Sequence, residues 1–248
     1  MNKMPTKETA DIDATIFGYW PARRLRGEIP PAVRFTDEYS GSDVLNIACT
    51  QTDLTLSRQE KLIDEWCIRL PQLSIRTLVF SSKVPQRLFD AACAVPGLEA
   101  LSIKWSSIAS LDAISQAASL RSLFIGSSPA VQSLLPLSRL LRLEHLFIEN
   151  IQGPVDLTFV EVLGNLREFG LSAARGRTLQ VQTLAPLSSL TQLEMLWLVS
   201  LQLQNDGLAP LHALSNLASL RTTIKSSSKE LKDLCAAIPS LKHFQSVG

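Results

Sequence analysis

The groups in this sequence able to do covalent or metal chemistry are few, and their spacing gives them no partners. Four cysteines (Cys49, Cys67, Cys93 and Cys235) and three histidines (His145, His212 and His243) are scattered along 248 residues. No C-x-x-C pair occurs and no histidine stands at a zinc-ligand interval, so neither a disulfide framework nor a metal centre is implied. Each cysteine sits in an apolar stretch, which suits a buried thiol in a reducing compartment. The histidines have no nucleophile or carboxylate at a motif spacing, and no G-x-S-x-G, phosphate loop, H-E-x-x-H or paired-carboxylate signature is present. No catalytic, cofactor-binding or metal-binding residue is therefore assigned, and the sequence does not read as an enzyme. A formal charge of +1 with 19% charged residues supplies no field to recruit nucleic acid or an anionic membrane. The chemistry left is recognition by aromatic and charged side chains, and where these point depends on the elements that carry them.

Those elements repeat. A six-residue frame, L-x-x-L-x-L, runs down the chain as Ile75-Leu78-Phe80, Leu98-Leu101-Ile103, Leu120-Leu123-Ile125, Leu143-Leu146-Ile148, Leu166-Phe169-Leu171 and Leu193-Leu196-Leu198. A weaker Leu217-Leu220-Thr222 follows, then Leu241-Phe244 with Ser246 in sixth place. First positions are separated by 23, 22, 23, 23, 27, 24 and 24 residues, a regularity that marks stacked structural units. The second half of the unit also recurs, as Leu134-Leu135-Pro136-Leu137, Leu184-Ala185-Pro186-Leu187 and Leu208-Ala209-Pro210-Leu211. Segment 184–198, LAPLSSLTQLEMLWL, resembles the short, internalin-type class of leucine-rich repeat, and the resemblance covers about residues 73–248.

The resemblance implies an α/β right-handed solenoid in which each turn lays one short strand into a parallel concave sheet. Alternation along a strand agrees with it, since frame positions four and six then face the core while three, five and seven face outward. One turn cannot bury its leucines alone, but stacked turns share a core. The family's asparagine, three places after the sixth position, is replaced by Ser106, Ser128, Ile151, Ala174, Leu201 and Lys225, with Asn150 one place early. The regularity of the turns is thereby put in doubt more than the fold.

Helical signals bracket the array. Ser57-x-x-Glu60 and Ser227-x-x-Glu230 read as capping boxes, and Pro85 can open a third helix. Cys67, Cys93 and Cys235 fall at like points of these helices, as core residues would. Helical turns are therefore expected near both ends and loop-like convex turns between them. Residues 1–42 lie outside the repeat, as a mobile N-terminus followed by a cap in which Phe17, Tyr19, Trp20 and Phe35 cover the first turn. Residues 43–248 form a solenoid of about eight or nine turns, making a single domain with the cap. Residues 44–49 read as an extra strand, and the long turn 172–183, with Arg175-Gly176-Arg177, as a basic surface loop.

Second frame positions alternate in charge: Arg76, Glu99, Arg121, Glu144, Arg167, Glu194. On strands about 4.8 Å apart each would meet opposite charge on both sides. The outward positions hold the candidate site. Phe124, Phe147, Trp197 and Met195 are expected together on the middle strands, with Gly170 leaving a notch between Phe147 and Trp197. Lys104, His145, Glu149, Glu168 and Arg221 surround them. Such a patch either binds a partner or packs on itself or under a terminal segment folded across it. The leading expectation is a non-enzymatic scaffold that binds another protein through this concave face. Alternatives are an immunity or regulatory protein that blocks a partner enzyme, and a structural subunit. The last strand, from Leu241, has no capping turn before Gly248, so pairing of this edge with a second copy or a partner is expected. No export signal and no run of about 18 apolar residues is seen, which favours a cytoplasmic protein that does not enter membranes, the alternative being secretion by a route that uses no cleaved signal peptide.

Overall fold

The structure, a computed structural model, describes residues 18–205 and 207–246. In chain order the strands are β1 (Val44–Ile47), β2 (Thr77–Phe80), β3 (Ala100–Trp105), β4 (Ser122–Ser127), β5 (His145–Glu149), β6 (Glu168–Ser172), β7 (Leu179–Val181), β8 (Met195–Val199), β9 (Leu201–Leu203), β10 (Ser219–Thr222) and β11 (His243–Ser246). Nine of them form one parallel sheet in the order β1-β2-β3-β4-β5-β6-β8-β10-β11, so each turn of chain adds a strand beside the last. Successive frames lie in register: Leu101, Leu123, Leu146, Phe169, Leu196, Leu220 and Phe244 form one column across the sheet. The frame inferred from the sequence is thus the pairing register of the structure.

The columns explain why leucine is repeated so strictly. Leu134, Leu137, Leu140 and Leu143 are joined by amide-to-carbonyl bonds three residues apart, each 3.0 Å long. Leu184, Leu187, Leu190 and Leu193 repeat the pattern at 2.9–3.0 Å. Three residues per turn eclipses every third side chain on one face, so a leucine at each third place gives an unbroken apolar stripe that leads into the strand. Burial of a leucine is worth about 1.5–3 kcal/mol, and the stripe is shared between neighbouring turns. The weak sixth place, Thr222, is also fully buried, and its hydroxyl accepts from the Ile224 amide at 3.0 Å. A polar residue is tolerated there because it satisfies a turn amide.

Helices α2 (Leu56–Arg69), α3 (Gln86–Cys93) and α4 (Ser228–Ala237) occupy turns near the two ends, and 3₁₀ turns such as Leu135–Arg139 and Ala185–Ser189 fill the middle, as expected. The Ser227–Glu230 capping box forms, with Ser227 accepting from the Glu230 amide and Glu230 from the Ser227 amide. The expected box at Ser57 does not. Thr55 caps α2 and places Ser57 inside its first turn. Asparagine is replaced by a shorter hydroxyl ladder, in which Ser106 Oγ and Ser128 Oγ lie 2.7 Å apart and Thr50 Oγ1 donates to Ser82 Oγ at 3.0 Å. Asn150 takes the left-handed turn conformation (φ 49°) that asparagine tolerates, and its amide reaches Ser127 Oγ at 2.5 Å.

Two expectations about turns need correction. The long turn is not loop throughout, because β7 within it pairs in parallel with β9 as a second small sheet. Cys49 and Cys93 are buried, but Cys67 is half-buried and Cys235 exposed, since α4 turns its Cys235 side away from the core reached by Leu234.

Candidate functional site

The middle of the concave face is occupied by the chain itself. The short helix α1 (Tyr19–Leu25) lies across the sheet on the side opposite the other helices. Gly18, at φ 78°, begins it beside Phe147, Glu168 and Met195, where any side chain would be strained in the left-handed region. The Tyr19 amide donates to Glu168 Oε2 at 2.8 Å, and the Tyr19 ring stacks on His145 at 4.5 Å with 20° between planes. His145 Nδ1 lies 3.3 Å from the same carboxylate oxygen, off the line a hydrogen bond needs. Trp20 is 3% exposed and packs against Val79 and Ala100, with Phe124 and Ile29 at its margin. Its indole N–H finds no acceptor among the described residues.

Arg23 fixes the far end. Its guanidinium lies 5.5 Å from the Tyr19 ring centre and 5.9 Å from that of Trp20, and donates to Thr77 Oγ1 at 3.2 Å. Glu28 accepts from Arg23 at 2.7 Å and from Arg26 at 2.5 Å. The Arg26 bond, helped by Arg23 and opposed by burial, holds the Glu28 carboxyl below the usual carboxylate range. α1 thus runs from Met195 and Glu168 back to Thr77, covering β2 to β6.

This changes what the candidate residues present. Met195 is 0% exposed and Glu168 5%, because Gly18 and Tyr19 lie over them. Phe124, His145, Phe147, Trp197 and Arg221 are half-buried, while Lys104 and Glu149 are exposed. The notch at Gly170 is filled. A Cβ there would fall 2.3 Å from two atoms of the Phe147 ring, so glycine lets that ring lie flat over β6. Phe147 then meets Trp197 edge-to-face at 5.2 Å and 86°. Glu149 stands at the rim, where its surface is open to solvent but the neighbouring protein displaces part of the water around its carboxyl and raises its pKa, a shift that Arg24 of α1 opposes.

The expected cap divides in two. Val33 bridges Ile47 in parallel, and the Trp66 indole donates to the Arg34 carbonyl at 2.9 Å, so residues 33–39 do cover the first turn. Tyr19 and Trp20 do not, having gone to the concave face instead. Phe17 lies outside the described residues.

Beyond α1 no other described residue lies across the face. A cavity of about 320 Å³ lies over β8, β10 and β11, walled by residues 197–245 and by none from α1. Arg221 places its guanidinium 5.5 Å over the Trp197 ring, and its Nε is buried without a hydrogen-bond partner among the described residues. The charge ladder on the sheet's flank forms three separate pairs, Arg76–Glu99 at 3.2 Å, Arg121–Glu144 at 2.6 Å and Arg167–Glu194 at 2.5 Å. The expected opposite charge on both sides is met on one side only, since each arginine reaches towards a single glutamate.

Nothing else in the described residues suggests chemistry. No group of three potential metal ligands comes together, and no helix is long and apolar enough to cross a membrane. Burial raises the Cys49 thiol to about 12 and that of Cys93 further still, which keeps both protonated.

No protein-family profile and no curated protein matches the sequence. Solved structures do match. Internalin C2 of Listeria monocytogenes superposes with a TM-score of 0.54 at 22% identity, over 72% of this chain and 80% of that one. The internalin inlF of the same organism gives 0.50 at 17% identity, over 77% of this chain and 57% of that one. The fold is that of a leucine-rich-repeat protein of the internalin kind. Within that leucine-rich-repeat fold, Tyr19 and Trp20 were expected over the first turn and lie instead on the concave face, as the alternative of a terminal segment across the patch allowed, while Gly18 and Arg23 were not singled out. Their signal was present as a compact aromatic and basic run, GYWPARR, outside the repeat. Its destination was not, because no frame position pairs with it.

Proposed function

We propose that this chain is a non-enzymatic recognition scaffold that binds a partner protein through the open end of its concave face. The observation that carries this reading is the Phe147–Trp197 edge-to-face pair continuing into Arg221 at the margin of the uncovered cavity. Half-exposed aromatics next to a cation have the composition of interface hot spots. In this reading the candidate residues have two roles. Phe147, Trp197 and Arg221 touch the partner, with Glu149 and Lys104 at the rim. Phe124, His145, Glu168 and Met195 hold α1 in place, and Gly170 seats Phe147.

The test is Trp197→Ala combined with Phe147→Ala, assayed against a partner isolated by affinity capture from the native cell. Each truncation is expected to cost about 2 kcal/mol or more of binding, about 30-fold each. Unchanged affinity in a folded double variant contradicts the reading.

A further inference from the structure

The open end of the concave face has a chemistry of its own. Its cavity is lined by Trp197, Ser219, Arg221, Lys242, His243 and Gln245, together with Leu220 and Phe244. Two permanent cations and an imidazole meet there, and no wall residue is a carboxylate. Elsewhere on this protein arginines at the sheet have acidic partners: Arg76, Arg121 and Arg167 each hold a glutamate at 2.5–3.2 Å. Arg221 has none among the described residues. Its guanidinium is held over Trp197 and its Nε–H is buried and unanswered. Guanidinium remains charged in any protein environment, and a buried N–H without an acceptor is costly until one arrives. The arrangement is a guanidinium fixed by stacking, its Nη atoms without a partner among the described residues and free to meet an oxygen pair, with an aromatic surface beside it.

We infer that this cavity binds an acidic peptide segment of the partner protein, with an aspartate or glutamate carboxylate on Arg221 and an apolar side chain of the same segment against Trp197. The inference rests on the concave-face reading above and specifies its partner. A carboxylate fits the guanidinium fork with two parallel bonds, while Lys242 and His243 on the adjoining strand β11 favour further negative charge nearby. The volume of about 320 Å³ is at the lower end of ligand cavities, enough for one or two side chains and too small for a folded element. Recognition would therefore be of an extended segment crossing β8, β10 and β11.

The test uses the full chain and a fluorescein-labelled, end-blocked peptide, Ser-Asp-Glu-Phe-Glu-Asp-Ser, with its Asn/Gln counterpart as control. Fluorescence polarisation should show the acidic peptide binding at least about 10-fold more tightly than the neutral one, as for charge-assisted bonds. Arg221→Gln should erase that preference, whereas Arg139→Gln, which removes an exposed cation on a convex turn, should keep it. Equal binding of the two peptides, a preference that survives Arg221→Gln, or no binding of either overturns the inference. If both peptides bind alike and Trp197→Ala weakens both, concave recognition stands and the carboxylate assignment falls. If the acidic peptide binds only to a Glu8→Gln, Asp11→Asn, Asp13→Asn variant, the cavity is taken by the chain's own acidic N-terminal residues, and the partner assignment is overturned.

Discussion

Replacing Trp20 by alanine should release α1 from the sheet while leaving the solenoid folded. Trp20 is 3% exposed over Val79 and Ala100, and truncating a buried tryptophan costs about 3–5 kcal/mol. Its indole N–H has no acceptor among the described residues, so removing it also removes an unmet donor worth about 1–3 kcal/mol. The net loss is then about 2 kcal/mol, or about 30-fold in the equilibrium between docked and released helix. That loss is local, because Trp20 belongs to a small cluster separate from the leucine columns. Hydrogen exchange read by mass spectrometry should therefore show amides of residues 18–28 exchanging faster by that factor, while those of β4 to β8 keep their rates. Tyr19 should leave His145, making that imidazole reactive towards diethylpyrocarbonate. Unchanged exchange at 18–28, or an equal acceleration through the sheet, would refute the argument that α1 is an independently docked lid over β2 to β6.

Other perturbations separate the remaining parts of the account. Gly170→Ala drives a Cβ to within 2.3 Å of the Phe147 ring and should cost about 1–3 kcal/mol in a denaturant titration. Adding Phe147→Ala should recover most of that loss, and additive losses would contradict the contact. Leu146→Ala, in the fully buried column, should cost about 2–5 kcal/mol, against less than about 1 kcal/mol for Arg121→Ala in an exposed pair; equal losses would contradict the frame. Partial loss of water around the solvent-facing Glu149 carboxyl raises its pKa, so the folded state holds its proton more tightly than the unfolded chain does, and its contribution turns against folding as pH rises past the ordinary carboxylate range. Glu149→Gln should accordingly raise the melting temperature at pH 7 and leave it unchanged at pH 3; a fall at pH 7 would reverse the assigned sign.

The repeat was legible because it is dictated by local periodicity. A leucine every third residue and an alternating strand can each be read from spacing, and Leu101, Leu123 and Leu146 fall where the frame put them. The charge ladder was legible as a pattern and not as pairs, since which neighbour an arginine selects depends on rotamers. Ser106 and Ser128 looked like a missing asparagine ladder, whereas two hydroxyls 2.7 Å apart serve the same turns. The candidate site was read least completely. Outward direction was inferred for Met195 and Glu168, and outward they do face, but direction is not exposure when a helix from outside the repeat settles over them. Gly170 was taken as empty space although the ring of Phe147, one strand away, fills it. Both misreadings concern contacts between residues far apart in sequence, which spacing cannot encode.

In the proposed arrangement α1 covers β2 to β6 and the Trp197–Arg221 end of the face meets a partner. Carbene footprinting of the full chain, free and bound to its captured partner, tests it most directly. Trp20, Ala22 and Met195, all buried, should be weakly labelled in both states, and labelling at Trp197, Arg221 and His243 should fall on binding. Protection that appears only on the convex turns, around residues 135–139 or 185–189, with Trp197 and Arg221 labelled as before, would contradict it.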